Sequence, residues 1–148
     1  MGTVKAVCTS SVKGIQKSEV DSVEFSAGWG IKDDAHAGDW HRQVSLLPYE
    51  TIEDFKARGA DVSNGSFGEN IIVEGFDLKS LPVGTRFRSG NVVLELTQIG
   101  KECHARCAIY HKMGDCIMPR EGVFCKVLQG GTIRSGDEIG LELRPQAG

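Results

Sequence analysis

Apolar residues along this chain come in short runs, mostly at every second position, and glycine-rich turns separate the runs. Residues 4–9 are strand-like through their β-branched content, and 20–25 alternate without declaring which face is inside. A short apolar strand over 44–47 is stopped by Pro48. The pattern then changes period. Over 49–58, Ile52 and Phe55 form an i, i+3 apolar pair. Glu50, Glu53 and Asp54 lie early and Lys56 and Arg58 late, which complements a helix dipole, and Gly59 supplies the stop. Beyond it, 70–74 reads as a strand ended by Gly75, and 81–84 as a turn into 85–88. Ser89-Gly90-Asn91 turns into a strand over 92–97. The same strand, glycine turn, strand unit recurs over 131–143. Leu46, Leu47, Ile71, Ile72, Val73, Val92, Leu94, Leu96, Ile133, Ile139 and Leu141 are the expected core positions.

Many short strands with one or two short helices predict a mostly β fold, a closed or nearly closed β-barrel. The length, 148 residues, fits a single domain over 1–148. Composition narrows the function classes. A net charge of −3 does not suggest nucleic-acid binding, and no apolar run reaches the ~18 residues of a membrane span. The N-terminal residues do not read as a secretory signal, so the expected compartment is the cytoplasm, where thiols stay reduced.

That compartment gives the cysteines their interest. Four of the five, Cys103, Cys107, Cys116 and Cys125, fall within 23 residues. From Lys79 to Arg134 there are 9 basic and 4 acidic side chains, so the cluster sits in the positive part of a mildly acidic chain. Lys101, His104 and Arg106 place candidate cations within three residues of Cys103 or Cys107, and nearby cations favour the reactive thiolate. Spacing alone leaves three chemistries open: a zinc staple using the Cys103 to Cys125 cluster, a redox pair, or a thiolate that binds a metal cofactor or carries sulfur. Cys8 is expected to be a packing residue. The stretch Asp33 to His41 is dense in Asp and His but lacks the alternation of a calcium loop. It is expected to be an exposed loop, with His41 and Arg42 facing the cysteine segment.

Five stretches, in order, carry a resemblance: Gly38-Asp39-Trp40-His41-Arg42-Gln43-Val44-Ser45-Leu46-Leu47, Gly65-Ser66-Phe67-Gly68-Glu69-Asn70, Leu81-Pro82-Val83-Gly84-Thr85, Gly100-Lys101-Glu102-Cys103-His104-Ala105-Arg106-Cys107, and Gly114-Asp115-Cys116 on to Phe124. Together with the closing Ser135-Gly136-Asp137 turn, the chain resembles a stand-alone MOSC domain, the module named after the C-terminal part of molybdenum cofactor sulfurases. The 114–122 segment resembles the version associated with molybdopterin biosynthesis proteins. The resemblance implies a pyruvate-kinase-type β-barrel and a molybdenum cofactor-binding or sulfur-carrier role. Cys107, after Arg106, matches the Arg-Cys pattern of the amidoxime-reducing members, and Cys103 matches the stand-alone bacterial ones. Either is therefore the candidate catalytic thiol and metal ligand. Molybdopterin carries a phosphate, which makes Arg42, Lys101, His104, Arg106 and Arg120 the expected cofactor-binding residues, with Asn70 for pterin edges. The implied partners are a molybdoenzyme or cofactor-biosynthesis protein, and a desulfurase supplying sulfur in trans. A small zinc protein and a molybdenum-dependent oxidoreductase subunit are the alternatives.

Overall fold

The computed structural model describes residues 2–11, 17–100 and 122–142. Its strands are β1 (Gly2–Thr9), β2 (Ser18–Val20), β3 (Ser22–Ser26), β4 (Gly30–Ile31), β5 (Val44–Pro48), β6 (Ile71–Glu74), β7 (Arg86–Ser89), β8 (Val92–Ile99), β9 (Val123–Gln129), β10 (Gly131–Arg134) and β11 (Glu138–Leu141). The one α-helix described is α1, Tyr49–Ala57, and Leu78–Ser80 form a 3-10 turn. Among the described residues no helix is long and apolar enough to cross a membrane.

Seven strands close into a barrel in the circular order β1, β6, β5, β9, β8, β7, β11. The seam is short: Gly2 pairs with Ile139 and Thr3 with Glu138. Further along the same strand, β2 pairs with Val7 to Thr9. A separate three-stranded sheet, β10-β3-β4, packs on the barrel through Val23, Phe25, Ile31 and Ile133, which join the barrel's own core.

Among the described strands only β5 and β6 run parallel. A parallel pair cannot be joined by a hairpin and needs a crossover, which here contains α1. Both faces of this pair are therefore covered, and β5 is buried at all five positions. Val44, Leu46, Ile71 and Val73 point into the barrel, whereas Leu47 and Ile72 meet Ile52 and Phe55 of α1 in a second apolar cluster. The helix itself has no side-chain N-cap. It has Glu50 in its first turn and Lys56 in its last, and Gly59 leaves it at φ +101°.

Three expectations need correction. The alternating run 20–25 is two strands broken at Asp21, because β2 pairs with β1 while β3 pairs with β10 and β4. Strand β9 was not anticipated, yet it joins β8 to β5 and its Cys125 is fully buried in the barrel core. Cys125 is a free, fully buried thiol there. Leu141 lies at the end of β11, past the packed layers, and is 46% exposed. The other expected core residues are buried, and so is Cys8.

Candidate functional site

The end of β8 organises the site. A register shift between Leu96 and Gln98 leaves Thr97 as an extra residue against β9. Such a bulge re-aims the side chains around it. The Thr97 hydroxyl reaches the carbonyl oxygens of both His41 and Phe124 and so ties the 32–43 loop to this hairpin. Gln43, buried, completes the tie: its amide donates to the Gly38 carbonyl (2.9 Å) and its oxygen accepts the Val127 N–H (2.9 Å).

Gln98 is the hub. Its side-chain oxygen accepts from Arg42 Nε at 3.0 Å and lies 2.8 Å from His41 Nε2. Its amide donates to the Gly100 carbonyl at 2.8 Å. Because that oxygen only accepts, His41 carries its proton on Nε2. The Arg42 guanidinium also lies 5.2 Å from the centre of the Phe124 ring, a cation–π contact. Arg42 is half-buried and has no acidic partner among the described residues. Other cations of the basic stretch are neutralised: Arg86 and Lys126 share Glu95, and Arg88 pairs with Glu142.

Gly100 marks the root of the cysteine segment. Its N–H donates to the Gly122 carbonyl at 2.7 Å, so the two described residues that flank the segment lie side by side, next to Gln98 and Arg42. Cys103, Cys107, Lys101, His104, Arg106 and Arg120 all lie outside the described residues. Of the expected cofactor residues, Arg42 stands at this root. Asn70 is buried within the barrel wall, where its oxygen accepts the Ser45 N–H (3.0 Å) and its amide donates to the Cys8 carbonyl (3.1 Å).

The stretch Asp33 to His41, expected as an exposed loop, is exposed at Asp33, Asp39, Trp40 and His41 but anchored at Asp34. Asp34 is buried and paired at 2.8 Å with Lys17, whose side chain is 1% exposed. Lys17 Nζ is also 2.9 Å from His36 Nδ1. Trp40 stacks parallel to His36, with centroids 6.5 Å apart, and meets His41 edge-on at 6.0 Å. A continuous row of side chains thus runs from Lys17 to Arg42. Sequence reasoning missed Lys17, Asp34 and His36 as a unit because no motif links residues seventeen and nineteen positions apart. Thr97 and Gln98 were missed because a bulge has no reliable sequence signature. Among the described residues no group of three or more His, Cys, Asp or Glu is arranged to hold a metal ion.

The class of protein is a seven-stranded barrel domain with a half-buried arginine, unpaired with any acid among the described residues, beside the root of a cysteine-bearing segment. The chain belongs to the MOSC domain family, whose sequence model matches residues 33–140. No curated protein matches it in sequence. Among solved structures it resembles the YuaD protein of Bacillus subtilis (TM-score 0.72, 20% identity, covering 94% of each chain). It also resembles YiiM of Geobacillus stearothermophilus (TM-score 0.73, 21% identity, 99% of this chain and 78% of that one). YiiM of Escherichia coli is similar at TM-score 0.66 and 16% identity, over 97% and 71% of the two chains. At these identities the likeness speaks for the fold.

Proposed function

We propose that this MOSC domain is a molybdenum cofactor-binding and sulfur-handling module whose working group is a thiolate of Cys103 or Cys107. The observation that carries the reading is Arg42: a half-buried guanidinium, oriented by Gln98 and stacked on Phe124, with no carboxylate to neutralise it among the described residues. A half-buried, fixed guanidinium is suited to an anionic ligand, and its planar fork matches phosphate. His41 donates its Nε2–H to the same glutamine and so helps to fix the oxygen that orients Arg42. The donor set therefore fits a phosphate-bearing cofactor. Arg42 would hold its phosphate together with Lys101, His104, Arg106 and Arg120. When bound, the cofactor supplies a metal that accepts a soft thiolate ligand. The protein's own part is to keep that thiolate ionised with nearby positive charge and to hold the anion in place. Sulfur would come from a desulfurase acting in trans, and the client would be a molybdoenzyme or a cofactor-biosynthesis protein.

The test is retention of molybdenum by protein purified from cofactor-producing cells, measured by elemental analysis beside cofactor fluorescence after oxidation. One of Cys103→Ser and Cys107→Ser should lose the metal, and Arg42→Gln should retain about tenfold less, with the barrel still folded. Native alkylation should label that thiol well below the ~8.5 pKa of a free cysteine. Cys8 and Cys125 should stay unlabelled until unfolding. Burial pushes the Cys8 thiol up to about 12, and burial raises Cys125 as well. Full molybdenum retention by the double serine variant would overturn the proposal. Stoichiometric zinc lost only on unfolding would transfer the cysteines to a structural role.

A further inference from the structure

Arg42 is on the opposite face from the one its place in the sequence dictates. Val44 and Leu46 of β5 point into the barrel, so strict alternation would send the Arg42 side chain inward too. Its guanidinium lies instead over the Phe124 ring and against Gln98, and Phe124 belongs to the outer cluster packed with α1. The change of face occurs at Gln43. In the ladder between β5 and β9, Val44 stands opposite Cys125 and Ser45 opposite Phe124, and the pairing stops there. Two residues beyond Val44, a continued strand would set Arg42 opposite Val127. The Gln43 side-chain oxygen takes the Val127 N–H instead, at 2.9 Å, and the Val127 carbonyl accepts the Gly28 N–H at 2.9 Å. Both backbone polar groups of the buried Val127 are thus satisfied without the main chain of Arg42, which leaves that residue free to depart from the sheet.

The other end of the Gln43 amide donates to the Gly38 carbonyl at 2.9 Å, and the side chain is buried between the two partners. One group must therefore accept from the sheet and donate to the loop at once. A carboxylate only accepts and a lysine or arginine only donates, whereas a side-chain amide does both. We propose that Gln43 is a positioning residue: its amide replaces the main chain at Val127, ends β5 at Val44, and turns Arg42 out to the face where it meets its anion. The bulge at Thr97 presents Gln98 opposite Phe124 on that same face, so two interruptions of the sheet build the seat of the arginine. The assignment rests on the function proposed above only for the anion, because the orientation of Arg42 stands without it.

NMR of the isotopically labelled full chain tests both halves. In the wild type, coupling through the hydrogen bond should link the Val127 amide nitrogen to the side-chain carbonyl carbon of Gln43. A coupling to the main-chain carbonyl of Arg42, or none to Gln43, overturns the positioning role even if no variant folds. The Arg42 Nε–H should exchange slowly with water, and inorganic phosphate should shift its resonance. Gln43→Met keeps the length of the side chain and removes both hydrogen bonds. In that variant the Arg42 proton should exchange about tenfold faster and phosphate should bind about tenfold more weakly, the scale of one charge-assisted hydrogen bond. Ile139→Ala opens a cavity at the β1–β11 seam, across the ring from β5. It should lower the denaturant midpoint yet leave the exchange rate and the phosphate affinity at their wild-type values. A folded Gln43→Met protein that matches the wild type in both readouts overturns the positioning role, and so does an Ile139→Ala protein that loses both to the same extent. Phosphate that leaves the wild-type Arg42 resonance unmoved overturns the anion half, and with it the function proposed above. The exchange rates still decide the role of Gln43, so the two readings fail separately.

Discussion

Glu69 spends its charge entirely inside the protein, where it ties down the loop that carries Gly65 and Phe67. Burial raises its pKa from 4.5 to about 6, against the opposing pull of the backbone N–H groups and Lys17. A carboxylate raised on folding contributes stability that is complete below its unfolded pKa and lost as pH rises through its folded one. The contribution of Glu69 should therefore fade between about pH 4.5 and pH 6, by roughly 2 kcal/mol. Urea denaturation of the wild type and Glu69→Gln across that range checks it. The difference between the two curves should carry the slope, and the glutamine, with one oxygen for two N–H donors, should cost stability at the acid end. Core residues behave more simply. Ile72 and Leu94 are 0% and 1% exposed, so Ile72→Ala and Leu94→Ala should each lower the free energy of unfolding by about 2–5 kcal/mol at constant m-value.

Among the elements, Gly65 sits at a crossing. Its φ is +92°, and a Cβ there would overlap the Lys17 carbonyl oxygen. Gly65→Ala should cost about 2 kcal/mol or more, through the positive φ and the overlap together, and should perturb the amide resonances of both Lys17 and Phe67. How legible such elements are in sequence depends on what their side chains must satisfy. Helix α1 declared itself because one face alone is apolar and its charges follow the dipole. The hairpins around Gly90 and Gly136 declared themselves through turn residues. Both glycines have positive φ, +59° and +96°. Strand β9 did not: Val123-Phe124-Cys125 is apolar on both faces, since Phe124 packs with α1's cluster while its neighbours fill the barrel. Such a run has no period to read. Its cysteine, counted by position with three others, suggested a ligand where packing needed a small apolar side chain. At the site, the family pattern pointed to Arg42, but the bulge at Thr97 that sets it beside Gln98 left no mark in the sequence. The Lys17, Asp34 and His36 unit exists only once β1 and the 32–43 loop are folded together, because the Ser10 and Ala35 backbones meet there.

On the scale of the whole molecule, the barrel closes entirely through strands outside 101–121. Ile99 pairs with Val123 and Gly100 with Gly122, so the β8 and β9 ends already lie at hairpin distance. Replacing 101–121 with Asn-Gly should leave a cooperative barrel, since a shorter loop is cheaper to close. Circular dichroism and a denaturant midpoint close to that of the parent would show it, together with complete loss of molybdenum retention. The seam between β1 and β11 has a different consequence, which belongs to the order of synthesis. At 5–20 residues per second, a ribosome needs on the order of ten seconds or more to travel from Gly2 to its partner Ile139. Throughout that interval β1 can hold only β2 and β6, and its opening residues present an unpaired edge that a chaperone or a second nascent chain can recognise. The ring itself is completed only after Leu141 has emerged, so closure of this domain waits for β11, the strand synthesised farthest from β1.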